Sequence, residues 1–348
     1  MAEPESRQHI VIQSRDSQLA LVQTHFVRDA ILHQFPQLVV EVRSGKSLGD
    51  KVLDVPLAKI GEKGLFTKEL EDALLNHEAD IAVHSLKDVP TSMPAGLALG
   101  AILERHKPQD ALVLRPDLSH LRLATLPAGA VVGTSSLRRR ALLAHQFPHL
   151  KFCDVRGNVQ TRLRKLDDPR NGFTALVLAV AGLQRLGLDQ RVTEILENDG
   201  AHWFGYAVGQ GALAVQCREQ DERILPLLHH LHHYETAQRC GAERALMREL
   251  EGGCHAPIAV ETTIKQTSDG ATILTMTAAV YSLDGFQCVK DSLSGALSDA
   301  EALGRKLACT LRDSGAGPIL VFIQADHEVG VAEHRKVVAA IQSQMDSV

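Results

Sequence analysis

The sequence predicts an α/β protein with more than one domain. Three observations point there. Short apolar runs alternate with helical stretches in the order β-α-β-α-β up to residue 85. A second alternation of the same kind starts near residue 106. At 348 residues the chain is too long for one ordinary core, so two or three domains are expected.

In chain order, HIVIQS (9–14) reads as a strand, and Ser17 to Phe35 as a helix with apolar residues near a 3.6 period. LVVEVRS (38–44) is a second strand, and the polar, glycine-bearing stretch 45–51 a loop. Phe66 to His77 is a helix, and ADIAVHS (79–85) a buried strand. In the second unit, AVVGTSS (130–136) runs from strand into helix, and HLKFCDVRG (149–157) is a strand. Val159 to Leu166 is a short helix, and FTALVLAVAGL (173–183) a buried strand. Tyr206 to Cys217 is apolar and broken by glycine, as expected where the chain crosses back to the first unit.

A smaller unit begins near Tyr234. Its helix, Thr236 to Leu250, is stopped by Gly252 and Gly253, and Pro257 forbids a return to helix. Strands are expected at 257–263 and 272–282, with Asp284-Gly285 turning the latter into 286–294. Ser298 and Glu301 are spaced as a capping box for a helix ending at Gly315. The resulting division is 1–105 with 209–232, then 106–208, then 233–348.

The formal charge of −5 gives no global nucleic-acid signature. Six cysteines without a C-x-x-C pair argue against a zinc ribbon, a redox dithiol or a disulfide framework, and suit a reducing compartment. MAEPESRQH lacks the apolar core of an export signal, and the longest strongly apolar run, 175–183, is far short of a membrane span. A cytoplasmic protein with no membrane and no nucleic-acid partner is expected.

Several stretches could carry chemistry. HSLKDVPT (84–91) follows a buried strand, which puts Lys87 and Asp88 at the strand's carboxyl end, where open α/β sheets hold their sites. A plain charged turn before proline is the commoner meaning of such a pair. In GTSSLRRR (133–140), Thr134 or Ser135 would cap a helix whose first amides form an anion site. Ser135, Arg138 and Arg139 share its face, and Arg140 points elsewhere. RGNVQTRLRKL (156–166) adds Arg156, Arg162 and Arg164, and Arg15 and Arg185 fall at strand ends or first turns.

Arginine forks hold carboxylates at two points. So many of them in an acidic chain imply a polyanionic small ligand. A nucleic acid is the alternative, but it would want a basic domain and stacking aromatics, and only 4% of the chain is aromatic. Cys254, in EGGCHAP, sits on a glycine-flanked turn past a helix end, either as apolar filler or held towards a cavity.

Three weaker signals fail. Gly45-Lys46-Ser47 lacks the glycine a phosphate loop needs at position 40, which is Val. GQGALA (209–214) fits a loose dinucleotide pattern but lies late in the chain, with no acid near 20 residues on. HHLHH (229–233) has no carboxylate partner and reads as solvated, so no metal is expected.

Taken together, HSLKDVPT, GTSSLRRR, VRGNVQTRLRKLD, LAVAGLQRLG, YAVGQGALAV and LEGGCHAPIAVE resemble the hydroxymethylbilane synthase (porphobilinogen deaminase) family, and in the same order. GDKVLDVPLAKIGEKGLFTKELE (49–71) does so too. The resemblance is dense over residues 9 to 263 and weak beyond. It implies three α/β domains, the first two like type II periplasmic binding proteins and the third, smaller one carrying a cofactor cysteine. It also implies a monomeric transferase that condenses four porphobilinogen molecules head to tail, with loss of ammonia. The primer would be a dipyrromethane held by thioether to Cys254. Each ring carries an acetate and a propionate, so two primer rings and four substrate rings bring twelve carboxylates into one cleft.

Carried over by position, the resemblance makes Asp88 the catalytic carboxylate. Lys87, Ser135, Arg138, Arg139, Arg156, Arg162, Arg164 and Gly211 match cofactor ligands, and Arg15, Ser17, Gln23, Arg185 and Gln210 match substrate ligands. The chain departs from the family pattern at Gln13 and Ser14 before Arg15, at Gln216 in place of an acid, and over 43–48. A non-catalytic anion-binding protein is the rival from another class, but it has no use for a protruding thiol.

Overall fold

The computed structural model describes residues 9–45, 67–250, 256–268, 270–326 and 328. The first sheet contains β1 (His9–Arg15), β2 (Val39–Gly45), β3 (Ile81–Ser85), β4 (Leu97–Ile102) and the late strand β10 (Leu213–Arg218), in the order β2-β1-β3-β10-β4. β1 is parallel to β2 and β3, and β10 is antiparallel to both its neighbours.

Helices α1 (Gln18–Gln34) and α2 (Lys68–Leu75) cover opposite faces of this sheet. Ile12 and Val83 pack with Val27 and Ile31 on one face, and Val11 and Ala82 with Leu70 and Leu74 on the other. That explains why β3 is apolar without alternation: it is buried on both sides. Each buried valine, leucine or isoleucine among them contributes about 1.5–3 kcal/mol through burial.

The second sheet contains β5 (Asp110–Leu114), β6 (Val131–Gly133), β7 (Lys151–Cys153), β8 (Ala175–Ala179) and β9 (Glu194–Leu196), in the order β7-β6-β8-β5-β9. β6 is parallel to β7 and β8, and β5 is antiparallel to β8 and β9. Its helices are α3 (Leu137–Gln146), α4 (Val159–Asp167) and α5 (Val180–Arg185). The two sheets share one plan: three parallel strands, one antiparallel strand brought in by a crossover, and a last strand at the edge. This is the doubled α/β arrangement that the resemblance implies.

The chain changes units twice. After β4, residues 103–109 lead into β5, and 206–212 return to β10. The crossings run side by side, with Leu103 N donating to Leu213 O (3.0 Å) and His106 N to Gly211 O (3.2 Å). Gly211 has φ +90°, and a Cβ there would sit 2.5 Å from His106 O, so the approach requires glycine.

Arg105 donates to both carboxylate oxygens of Glu243, at 2.6 and 3.0 Å, and both side chains are buried. Glu243 also accepts from Gly209 N (2.8 Å) and Thr262 Oγ1 (2.9 Å), so all of its demand is met inside the protein. Leaving either ion of such a buried pair without its partner typically costs about 3–5 kcal/mol.

Glu243 belongs to α7 (Tyr234–Glu249), which follows the short α6 (Leu225–His229) and opens the third unit. There β11 (Ile258–Gln266), β12 (Thr272–Tyr281) and β13 (Cys288–Ala296) form an antiparallel meander, and α8 (Ala300–Leu311) packs beside α7. A Cβ on Gly304 would meet Ala242 O at 2.1 Å, so glycine sets this close helix approach. The Asp284-Gly285 turn forms as expected, with Phe286 N donating to Asp284 Oδ1 (3.0 Å) and Gly285 at φ +80°.

Four local expectations are corrected. The run 173–183 is not one strand: β8 ends at Ala179 and α5 begins at Val180, because an apolar run without breakers is buried in either conformation. Ser136, not Thr134 or Ser135, caps α3, accepting from Arg139 N at 3.4 Å. Asp299 occupies the N-cap of α8 without a side-chain bond, so Ser298 and Glu301 do not form a capping box there. Gly315 kinks the C-terminal helix at φ +110° instead of ending it, and helix resumes over 317–326.

Candidate active site

Candidate site residues gather at the carboxyl ends of strands in both sheets. In the first unit, β3 runs into a tight turn, Leu86–Asp88. Buried Leu86 and the bond from Val89 N to Leu86 O (3.1 Å) pin this turn. Asp88 is left exposed on the wall of a cleft of about 410 Å³ that is open to solvent. Arg15, Ser17, Gln23, His84 and Ser85 line it as well. Ser17 also caps α1 (Ala20 N to Oγ, 3.3 Å), and the Gln23 amide meets Ser85 Oγ at 3.0 Å.

His84 points to a buried partner. Its Nε2 lies 2.9 Å from Gln216 Oε1, and Gln216 Nε2 donates to Glu71 Oε1 at 3.4 Å. Because the carboxylate of Glu71 accepts, the amide of Gln216 turns its carbonyl to His84, which therefore donates from Nε2. Burial pushes the His84 imidazole down to about 4, so it is neutral at physiological pH.

A second group begins at α3. Arg138 and Arg139, adjacent in sequence, both turn inward onto Asp110: Arg138 Nη2 donates to Oδ2 and Arg139 Nη2 to Oδ1, each at 2.7 Å. Burial would push the Asp110 carboxyl up, but the two guanidiniums outweigh it and hold it well below the usual range. Their other forks bond to Gly205 O (2.8 Å) and Val177 O (3.0 Å). Gln210 completes the group, donating to Asp110 Oδ1 (2.9 Å) and Pro108 O (2.6 Å) and accepting from Lys87 Nζ (3.4 Å). Lys87 thus joins the two groups. Burial pushes its ammonium down to about 8, against the pull of Asp88.

Arg162 donates to Gly157 O (2.7 Å) and is pushed to about 10 by burial and by the neighbouring charges of Arg139 and Arg156, with Asp88 opposing. Arg185 donates to Gly211 O (2.7 Å), and burial alone takes it to about 10. Arg162 and Arg185 stay charged at neutral pH. Arg15, Lys87, Arg138, Arg139, Arg156 and Arg162 therefore form one electrostatic set around Asp88 and Asp110.

Other expected residues stand apart from that set. Arg164 is exposed and bonds to Thr161 Oγ1 (3.2 Å). Ser135 ties down the loop before Arg156, exchanging hydrogen bonds with the backbone of Val155 at 2.9 and 3.1 Å. Gly211 acts through its backbone at the crossing. Cys254 lies outside the described residues, as does most of the 45–51 loop. Sequence reasoning missed Asp110, whose signal was an acid opening the apolar run DALVL, and the His84–Gln216–Glu71 chain, which spans 145 residues. The histidines at 229–233 read correctly as solvated for the most part, with His233 capping α7. Among the described residues no group of His, Cys, Asp and Glu is suited to hold a metal ion.

This geometry can hold a polycarboxylate. Two buried guanidiniums share one carboxylate, and the Nε of each is buried with no acceptor among the described residues. Positive charge and donor capacity are in surplus beside a single exposed acid.

Comparison with known proteins agrees. A family model described as porphobilinogen deaminase, dipyromethane cofactor binding domain, matches residues 10–226, and the porphobilinogen deaminase C-terminal domain matches 237–313. The chain is 52% identical to porphobilinogen deaminase of Nostoc sp. over 93% of its length and 98% of that protein. It is 54% identical to the Gloeobacter violaceus protein of that name, over 89% of this chain and 92% of the relative. For Synechococcus elongatus the values are 53%, 89% and 94%.

Proposed function

The chain belongs to the porphobilinogen deaminase family, and from that premise we propose that Asp88 performs its proton chemistry and Cys254 anchors its primer. The family's reaction condenses four porphobilinogen molecules head to tail on a covalent dipyrromethane, releases ammonia at each addition and ends in hydrolysis to hydroxymethylbilane. The observation that carries the assignment of roles is the exposure of Asp88 at the end of β3, inside a cationic set drawn from both units.

The bound dipyrromethane supplies the carbon to which the first substrate unit is joined. The protein's own work is to hold carboxylates and handle protons. Arg138, Arg139, Arg156 and Arg162, with Lys87 and Ser135, would hold the primer's acetates and propionates, and Arg15, Ser17, Gln23 and Arg185 those of the arriving substrate. Two-point arginine contacts fix ring orientation as well as charge. Asp88 stabilises the positive charge on the substrate pyrrole as ammonia departs, and takes up the ring proton once the new carbon–carbon bond has formed. Arg164, exposed and turned towards Thr161, serves at most the outer rim. The proposed units are 1–105 with 209–232, 106–208, and 233–348.

Lys87 gives the test of this site. Its ammonium holds a carboxylate only while protonated, so kcat/KM should fall as pH rises through about 8. The arginines near 10 keep their charge across that window. Lys87→Gln should lower the plateau and lose this limb. An identical alkaline limb in the variant would remove Lys87 from the binding set.

We further propose a cytoplasmic monomer that binds no nucleic acid. No helix among the described residues is long and apolar enough to cross a membrane. Sedimentation should give one species of monomer size, close to the 37.8 kDa of the bare chain plus its primer and unchanged by duplex DNA at low salt. A dimer, or a salt-sensitive DNA complex, would overturn that reading.

A further inference from the structure

Arg244 lies on α7, ten residues before Cys254 in sequence, and its side chain is buried. It has no ion-pair partner among the described residues. Its guanidinium serves the backbone instead: Nη1 donates to Val89 O at 3.0 Å and Nη2 to Pro90 O at 2.7 Å. Burying a guanidinium without an ion pair is expensive, and here it is used on the two carbonyls that directly follow Asp88. Burial pushes Arg244 down to about 10, with Arg248 adding to that and Cys240 and Glu301 opposing, so it remains charged in the working range.

Two neighbouring contacts extend the connection. Cys240, also on α7, packs with Leu86 and Val89 beneath the acid's turn. Glu243, adjacent to Arg244, holds Arg105 and Gly209 N, one in each crossing between the first two units. One turn of the helix that precedes the thiol in sequence therefore grips both crossings and the segment carrying the acid.

We propose that Arg244 is a positioning residue for Asp88, transmitting the placement of the thiol-bearing unit to the acid through Val89 O and Pro90 O. This rests on Asp88 being the acid. A lysine can span one of the two carbonyls with one charged donor, whereas methionine keeps the stem and loses both donors. Misplacement of a reacting group by about 1 Å can lower a rate on the order of 100-fold.

The test uses the full, primer-loaded chain, with loading checked by intact mass, and a double-mutant cycle with Asp88→Asn. Arg244→Met should lower kcat about 100-fold with KM within about twofold, and Arg244→Lys should recover about tenfold of that loss. In the Asp88→Asn background, Arg244→Met should change kcat by less than about threefold, because the group it positions is already gone. An equal loss in both backgrounds, or a loss carried by KM, would overturn the proposal. If Arg244→Met does not fold, Arg244→Lys decides: kcat near that of the parent overturns the proposal, and a loss of about tenfold at constant KM supports it. Should Asp88→Asn itself keep near-parental turnover, the acid assignment is what fails, and the clamp on its turn loses its purpose.

Discussion

Asp88→Asn should lower turnover by about 10³- to 10⁴-fold while leaving the fold and the covalent primer in place. The expectation of an intact fold comes from the turn itself. Leu86 is buried, Val89 N closes the turn onto Leu86 O, and Arg244 holds the carbonyls beyond. The Asp88 side chain makes no hydrogen bond or ion pair among the described residues, so the turn does not depend on its charge. Asparagine keeps the shape and one carbonyl oxygen but neither balances a cationic pyrrole nor takes a proton. Lys87 and Arg162 both feel the charge of Asp88, so losing its one negative charge makes the reacting end more cationic. Ammonia release in a single turnover, together with the melting temperature, measures both halves of the expectation. Near-parental release would take the role away from Asp88.

How much of this was legible in the sequence depended on the distance over which each residue finds its partner. β1 and β3 could be read because a buried strand is a local pattern, and Asp88 because a strand's carboxyl end is a local position. Arg138 and Arg139 could be read as arginines on one helix face, but not as a pair closing on Asp110, 28 and 29 residues back. Nothing in their spacing separates a ligand-facing fork from one already committed to a carboxylate. The capping hydroxyl was ambiguous for a similar reason. Thr134 and Ser135 were the hydroxyls expected to cap, and Ser136 does so because the helix starts at Leu137. Ser135 then stayed free to tie down the loop before Arg156. The antiparallel strands β5 and β10 were the least accessible, since their places in the sheets follow from crossings between units and not from any property of DALVL or LAVQCR. Arg164 shows the converse limit: it fits the motif by position and points to solvent.

The intact mass of the purified protein should exceed that of the bare chain by two pyrrole units, and Cys254→Ala should return it to the bare mass and abolish turnover. The reason begins with the competing thiols. A thioether is built at a reachable sulfur, and burial suppresses thiolate formation. Cys217 and Cys240 are fully buried, their thiols pushed up by burial to about 11 and about 12. Cys288 is half-buried and pushed up by burial too. Only Cys153 and Cys309 are exposed among the described cysteines. Cys309 lies on α8 in the third unit, whereas Cys153 ends β7 in the arginine-bearing second unit and is the serious competitor. Cys254 differs from both in its sequence setting: two glycines precede it, Pro257 follows it, and it stands four residues beyond the last described residue of the segment that carries α7, the helix whose Arg244 grips the acid's turn. A primer starting there begins ten residues in sequence from Arg244, which suits a thiol that anchors the chain while the acid repeats the chemistry. The competitor makes the outcome decisive. If Cys254→Ala keeps the added mass and Cys153→Ala loses it, the anchor is on β7, and the connection from thiol to acid through α7 has to be abandoned.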